Sequence, residues 1–262
     1  MMFRSFFLAG FECATGHNRH GAWIDQVAAT RHDVHVDEDY RRLREVGIFA
    51  AREAIRWPLV DRGGGRYDFS SVAPFVRAAQ ENGVEVIWDL FHYAYPDGLD
   101  LFSEEFPQRF ADYCYATARY VAARTGPTCY FTPVNEPSYF AYAGREKPLF
   151  APHREGRGWD LKVCLVRAAT QGIDAIRAAC SGARMVNVDP FCRVVTRPGQ
   201  PEEEIVAAWE FNNRHVFQAW DMLCGRLLPE LGGSREHLDG VGMNYVSRLP
   251  PAFSCASSRL RR

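Results

Sequence analysis

The chain has 262 residues, 47% of them hydrophobic and 24% charged, a composition that suits a globular protein built as one large α/β barrel or two small domains. A formal net charge of -1 gives no global attraction to nucleic acid or to an anionic membrane surface, and no stretch approaches the ~20 apolar residues of a membrane span. The expected partner is therefore a small, neutral molecule, with neither nucleic acid nor membrane involved; nothing in the sequence reads on oligomeric state.

From Met1 to Phe11 the chain carries one arginine and a short apolar run, but Glu12 follows and no small-residue cleavage site closes it. A first strand is expected there rather than a signal peptide. Short apolar runs then alternate with longer amphipathic ones. The first strand, Phe6–Cys13, precedes helical spacing over Asp37–Val46. Strand Phe49–Ile55 precedes helix Val72–Glu81, and Val84–Phe91 precedes Pro107–Arg124. Thr128–Asn135 is followed by Asp160–Ala179, Arg184–Asp189 by Glu202–Leu228, and Asp239–Tyr245 closes the series. Ser70 and Ser71 suit helix N-caps, and Gly47, Gly83, Gly126 and Gly182 stand where helices should end in a left-handed residue.

This alternation predicts repeated βα units around a parallel sheet. The first strand has no Gly-x-Gly-x-x-Gly turn after it, which disfavours a dinucleotide-binding sheet and favours a TIM (β/α)8-type barrel with catalytic residues at the C-terminal ends of its strands. A complete barrel takes about 250 residues, yet only six βα units fit here, so an incomplete barrel is expected over 1–246. Residues 247–262 read Ser-Arg-Leu-Pro-Pro-Ala-Phe-Ser-Cys-Ala-Ser-Ser-Arg-Leu-Arg-Arg, with neither helical nor strand period. An irregular tail is expected there, of the kind a frameshift or premature stop produces. Two absent strands would leave open sheet edges that need covering.

Eight cysteines, Cys13, Cys114, Cys129, Cys164, Cys180, Cys192, Cys224 and Cys255, show no Cys-x-x-Cys spacing. They read as reduced core thiols of a cytoplasmic protein.

The segment Phe131-Thr132-Pro133-Val134-Asn135-Glu136-Pro137 is an apolar run that ends in an Asn-Glu pair and is stopped by proline. It sets a carboxylate at the tip of a barrel strand. Cleaving a glycosidic bond needs one carboxyl group to protonate the leaving oxygen and a second to attack carbon or activate water. Glu136 is the candidate for the first role.

Several separated motifs, in order, carry a family likeness: Phe7-Leu8-Ala9-Gly10-Phe11; Ala51-Arg52-Glu53-Ala54-Ile55-Arg56-Trp57-Pro58; Val86-Ile87-Trp88-Asp89-Leu90-Phe91-His92; Asn135-Glu136-Pro137; and Asp239-Gly240-Val241-Gly242-Met243-Asn244-Tyr245. In these the chain resembles the family-1 glycoside hydrolases, the β-glucosidase type, from about Phe7 to Tyr245. The resemblance implies Glu136 as general acid and base, Asn135 on the sugar 2-hydroxyl, and His92 on another ring hydroxyl. It implies Arg52 beside the nucleophile, with Asn244 and Tyr245 lining the same pocket. Trp57 and Trp88 could present faces to sugar C–H surfaces, although large aromatics at strand ends are more often core.

The family has a sugar-binding Gln after its first strand where this chain has Thr15-Gly16-His17, with Glu12 earlier; Glu12 and His17 are the substrate contacts expected at that corner. Tyr93-Ala94-Tyr95-Pro96 follows His92 where the family has Trp-Asp-Leu-Pro. The nucleophile motif has no counterpart after Tyr245, and Glu12 and Asp189 are weak stand-ins. The reaction implied is hydrolysis of a β-O-glycoside with retention, which requires no cofactor and no metal. Two rivals remain on the residues alone. A metal-dependent barrel hydrolase would use His17, His20, His32, His35, Asp89 and His92, for which the spacing is poor. The other rival is an inactive carbohydrate-binding pseudoenzyme or gene fragment.

Overall fold

The computed structural model describes residues 2–144, 151–152 and 156–245; the tail expected at 247–262 lies outside them. In chain order the strands are β1 (Ala9–Gly10), β2 (Thr15–His17), β3 (Trp23–Asp25), β4 (Ala50–Ala54), β5 (Glu85–Asp89), β6 (Tyr130–Thr132), β7 (Arg184–Phe191) and β8 (Gly240–Tyr245). The α-helices are α1 (Gln26–Ala29), α2 (His32–Glu45), α3 (Trp57–Val60), α4 (Ala73–Asn82), α5 (Glu105–Thr125), α6 (Pro137–Ala143), α7 (Gly158–Ala179), α8 (Glu202–Asn213) and α9 (Gln218–Leu223). Strands β2 and β3 form an antiparallel hairpin, and the other six form one parallel sheet in the order β1-β4-β5-β6-β7-β8. Sequential parallel order with helical crossovers curls the sheet into a partial (β/α)8 barrel. Among the described residues no helix is long and apolar enough to cross a membrane.

Side chains alternate across each strand, and the parallel register keeps paired residues on one face. Arg52 pairs with Ile87 and Ile87 with Tyr130, while Val188 pairs with Gly242. Ile87, Tyr130, Val186 and Val188 make a small apolar cluster on the inner face. The opposite face carries Ala51, Val86, Trp88, Phe131 and Met185 into the main core beneath the helices. Trp57 stacks on Tyr113 at 5.3 Å and meets Phe110 and Phe91 edge-on at 5.2 and 5.6 Å. Trp57 and Trp88 are both fully buried, so they belong to the core and offer no face to a sugar. Truncating such a residue costs about 3–5 kcal/mol.

Several boundaries differ from the sequence expectation. Of the strand expected at Phe6–Cys13, only Ala9–Gly10 joins the ladder; among the described residues it is paired on one side only, and Phe6 and Phe7 stand exposed. The helix expected from Asp37 starts at His32, because His32, Val36 and Tyr40 share one buried face and a histidine conceals the apolar period. The helix expected over Glu202–Leu228 breaks at Arg214. There Asn212 turns its amide onto Val194 and Asn213 onto Trp209 O, and a short 3-10 turn leads into α9.

Val72, not Ser70 or Ser71, occupies the cap position of α4, with Pro74 in the first turn. Gly83 closes that helix in the left-handed conformation at φ 60°, as its lack of Cβ allows. Gly47 and Gly126 also have positive φ. Gly182 does not, and its role is steric: a Cβ there would lie 2.3 Å from Pro127 O. The seven described cysteines are free thiols, five of them buried.

Candidate active site at the strand ends

The chemistry-bearing residues gather where the inner face meets the C-terminal ends of the strands. Arg52 projects inward from β4, and Asp89 is the last residue of β5 and pairs with Ala54. His92 follows three residues later. Asn135 and Glu136 leave the end of β6, while Asn244 projects inward from β8 beside Pro190.

The turn after β6 is held from two sides. Asn135 N–H donates to Phe91 O at 2.9 Å and Glu136 N–H to Val188 O at 3.0 Å. Glu136 takes φ 48°, a left-handed conformation that costs a non-glycine residue on the order of 1 kcal/mol. Pro137 then opens α6 at a position where its missing N–H costs no helical bond. Tyr93 is also left-handed, at φ 77°. The two strained residues meet: Tyr93 Oη donates to Glu136 Oε2 at 2.8 Å.

One connected hydrogen-bond network links the rest. Arg52 donates to both Asp89 Oδ2 and Asn135 Oδ1. Because a guanidinium only donates, Asn135 Oδ1 must accept, and its Nδ2 donates to His92 Nε2 at 3.0 Å and to Tyr93 Oη at 3.2 Å. His92 Nε2 is therefore the acceptor nitrogen, which assigns the ring proton to Nδ1, 2.9 Å from Asp89 Oδ2. From the far side, Asn244 Nδ2 donates to Glu136 Oε1 at 2.6 Å. Each oxygen of Glu136 thus accepts one side-chain hydrogen bond, and the residue is almost fully buried.

Charge follows the geometry. Burial works to raise the Asp89 carboxyl, but Arg52 and His92 beside it outweigh burial and hold it below the ordinary carboxylate value. Burial and the Glu136 carboxylate push the Tyr93 phenol well up, so Tyr93 stays a donor to Glu136 at neutral pH.

Cys13 Sγ, Asp89 and His92 bring three ligand-type atoms within 4.8 Å of one another, but they do not suit a cation. A metal on His92 Nδ1 would move the ring proton to Nε2, where it would face the NH2 of Asn135, itself locked by Arg52. The arginine also claims the Asp89 oxygen that would bind, and burial followed by the Asp89 charge raises the Cys13 thiol well above its usual value. The remaining histidines of the metal reading are dispersed. His20 bonds Arg19 at 3.0 Å, His35 is exposed, and His32 is buried behind β4 between Asp39 and Glu53.

Of the residues expected from sequence, Arg52, His92, Asn135, Glu136 and Asn244 come together. Tyr245 does not. It follows Asn244 on β8, so alternation turns it to the opposite face with Val241 and Met243, where it is 77% exposed. Glu12 is exposed and caps the N–H of Ala14 at 3.0 Å. His17, on β2, packs edge-on to Trp23 at 5.2 Å; neither Glu12 nor His17 hydrogen-bonds into the cluster. Arg52 pairs with Asp89 rather than with Glu53 or Glu12, since Glu53 lies on the other face of β4. Sequence reasoning missed Tyr93 and the pairing role of Asp89. Asp89 sat in a motif already singled out, whereas the left-handed turn that aims Tyr93 has no sequence signal in a non-glycine residue.

No family model matches the sequence, and no curated protein does. Solved structures do. A family 1 β-glucosidase from Thermotoga maritima superposes with TM-score 0.73 at 18% identity, covering 93% of this chain and 65% of that one. The T. maritima β-glucosidase in complex with glucoimidazole gives 0.70 at 20%, covering 88% and 57%. The AHE enzyme from Alicyclobacillus herbarius gives 0.71 at 18%, covering 89% and 60%. The likeness is one of fold. This chain spans about 57–65% of the length of these structures.

Proposed function

We propose that this chain is a glycoside hydrolase of the retaining β-glycosidase type, with Glu136 as general acid and base acting on a β-O-glycoside. The observation that carries the reading is the network Arg52–Asn135–Tyr93–Glu136–Asn244, assembled from four strand ends on the inner face of a β-glucosidase-like fold. Asn135 fits a sugar 2-hydroxyl, an interaction that strengthens in the transition state. His92 and Asn244 supply further polar contacts, and Tyr93 orients the Glu136 carboxyl. A retaining reaction needs a second carboxyl group. Asp89, the other carboxylate in the cluster, is bound to Arg52 and His92 and is not offered as the attacking group.

Two measurements test the reading. Titration calorimetry with a glucose-configured imidazole inhibitor should give binding that weakens on the order of tenfold or more in Asn135→Ala. Any release of nitrophenol from nitrophenyl β-glycosides should be lost in Glu136→Gln, and turnover requires a second carboxyl group besides Glu136 and Asp89. No binding of any glycoside analogue by the folded protein, or turnover that survives Glu136→Gln, would overturn the assignment.

A further inference from the structure

Lysine is nearly absent from this chain: Lys147 and Lys162 stand against 29 arginines. Lys147 is outside the described residues. Lys162 lies near the start of α7 and lines a cavity of about 190 Å³ between α6, α7 and α8. None of the network around Glu136 lines this cavity. Its walls are largely apolar and aromatic, with Tyr139, Trp159, Pro190, Ala208, Phe211 and Val216. Lys162 Nζ donates to Gln218 Oε1 at 3.0 Å and makes no ion pair among the described residues. Burial lowers its pKa against the pull of Asp189, which leaves more free amine at neutral pH than an exposed lysine has. An arginine could not serve in this way, because a guanidinium does not deprotonate.

We propose that Lys162 is a reactive amine that captures a small, neutral aromatic aldehyde as an imine within this cavity. The aromatic walls select a flat apolar ring. Neutrality follows from Glu204 in the lining, whose carboxylate opposes an incoming anion. The amine lone pair forms a C–N bond to the carbonyl carbon, and the carbonyl oxygen takes a proton from nitrogen to give a carbinolamine. That hydroxyl then leaves as water with the remaining N–H proton, forming C=N; no oxidant or reductant is consumed. Ser138 and His215 line the same cavity and provide the polar groups for the proton transfers.

The test is reductive trapping of the whole protein with benzaldehyde and cyanoborohydride at neutral pH, with the adduct at Lys162 quantified by peptide mapping against free N-acetyl-lysine amide in the same tube. The expected result is an adduct on Lys162 that forms on the order of tenfold faster in the folded protein than in urea. Lys162→Arg should remove it. Ala208→Phe, which fills the cavity, should bring the rate at Lys162 down to the unfolded level while circular dichroism stays native. A rate in the folded wild type equal to or below that in urea overturns the proposal, and so does a rate that a folded Ala208→Phe variant leaves unchanged.

Discussion

Asp189 Oδ1 accepts the backbone N–H of Ser138 at 3.0 Å, so a carboxylate on β7 caps the helix that begins beside Glu136. The cap comes from 51 residues away because Glu136, at the local cap position, turns its own carboxyl into the site. Together with the bond from Glu136 N–H to Val188 O, it fastens the strained turn to the neighbouring strand.

Burial raises the Asp189 carboxyl to about 7, with Ser138 and the charge of Lys162 pulling the other way. In the unfolded chain the same group titrates near ~3.9. The folded state therefore holds an extra proton between these values, and the stability this contributes is lost as pH rises through about 7. Asp189→Asn keeps an acceptor for Ser138 and removes the titration. Its melting temperature should gain on wild type steadily from about pH 4 to about pH 7 and keep a constant lead above that; a constant offset from about pH 4 to about pH 8 would contradict the linkage.

Arg52 is the cation that compensates the fully buried Asp89. Arg52→Met should destabilise the protein by about 3–5 kcal/mol in urea unfolding, because it leaves that charge with His92 alone. Arg52→Lys should recover part of the loss, since it keeps the charge without the planar guanidinium that reaches both Asp89 and Asn135. Equal stability of wild type and Arg52→Met would show the pair to be unimportant.

His32 lies buried between Asp39 at 2.7 Å and Glu53 at 2.9 Å, with Phe11 stacked on its ring at 3.7 Å. Burial alone would lower its pKa, but Glu53 and Asp39 outweigh burial and raise it. A raised histidine contributes stability that is full below about 6.5 and is lost as pH rises through its folded value. His32→Gln should therefore be most destabilising in mildly acidic solution, with a penalty that shrinks toward alkaline pH. Chemical denaturation at three pH values checks the slope, and a penalty that grows with pH would reverse the assignment.

Gly182→Ala should cost about 1–3 kcal/mol by overpacking, because the added carbon would lie 2.3 Å from Pro127 O, on the backbone before β6. A denaturant midpoint unchanged from wild type would mean that the 127 segment moves freely.

Hydrophobic period by itself determined the alternation of strands and helices, the parallel order it implies, and the placement of Asn135 and Glu136 at a strand tip, because these depend on residues a few positions apart. Tertiary structure decided what those residues touch. Helix α2 began early because His32 faces Glu53 across the core, a pairing no local pattern encodes. Tyr245 turned away from Asn244 because register, set by β7, chose which half of β8 faces inward. Tyr93 entered the site through a left-handed turn, and Asp189 became a helix cap from another βα unit. Such contacts join residues 43 to 51 positions apart; they arise only when the sheet has curled and brought its strand ends together, which is why a reading along the chain does not reach them.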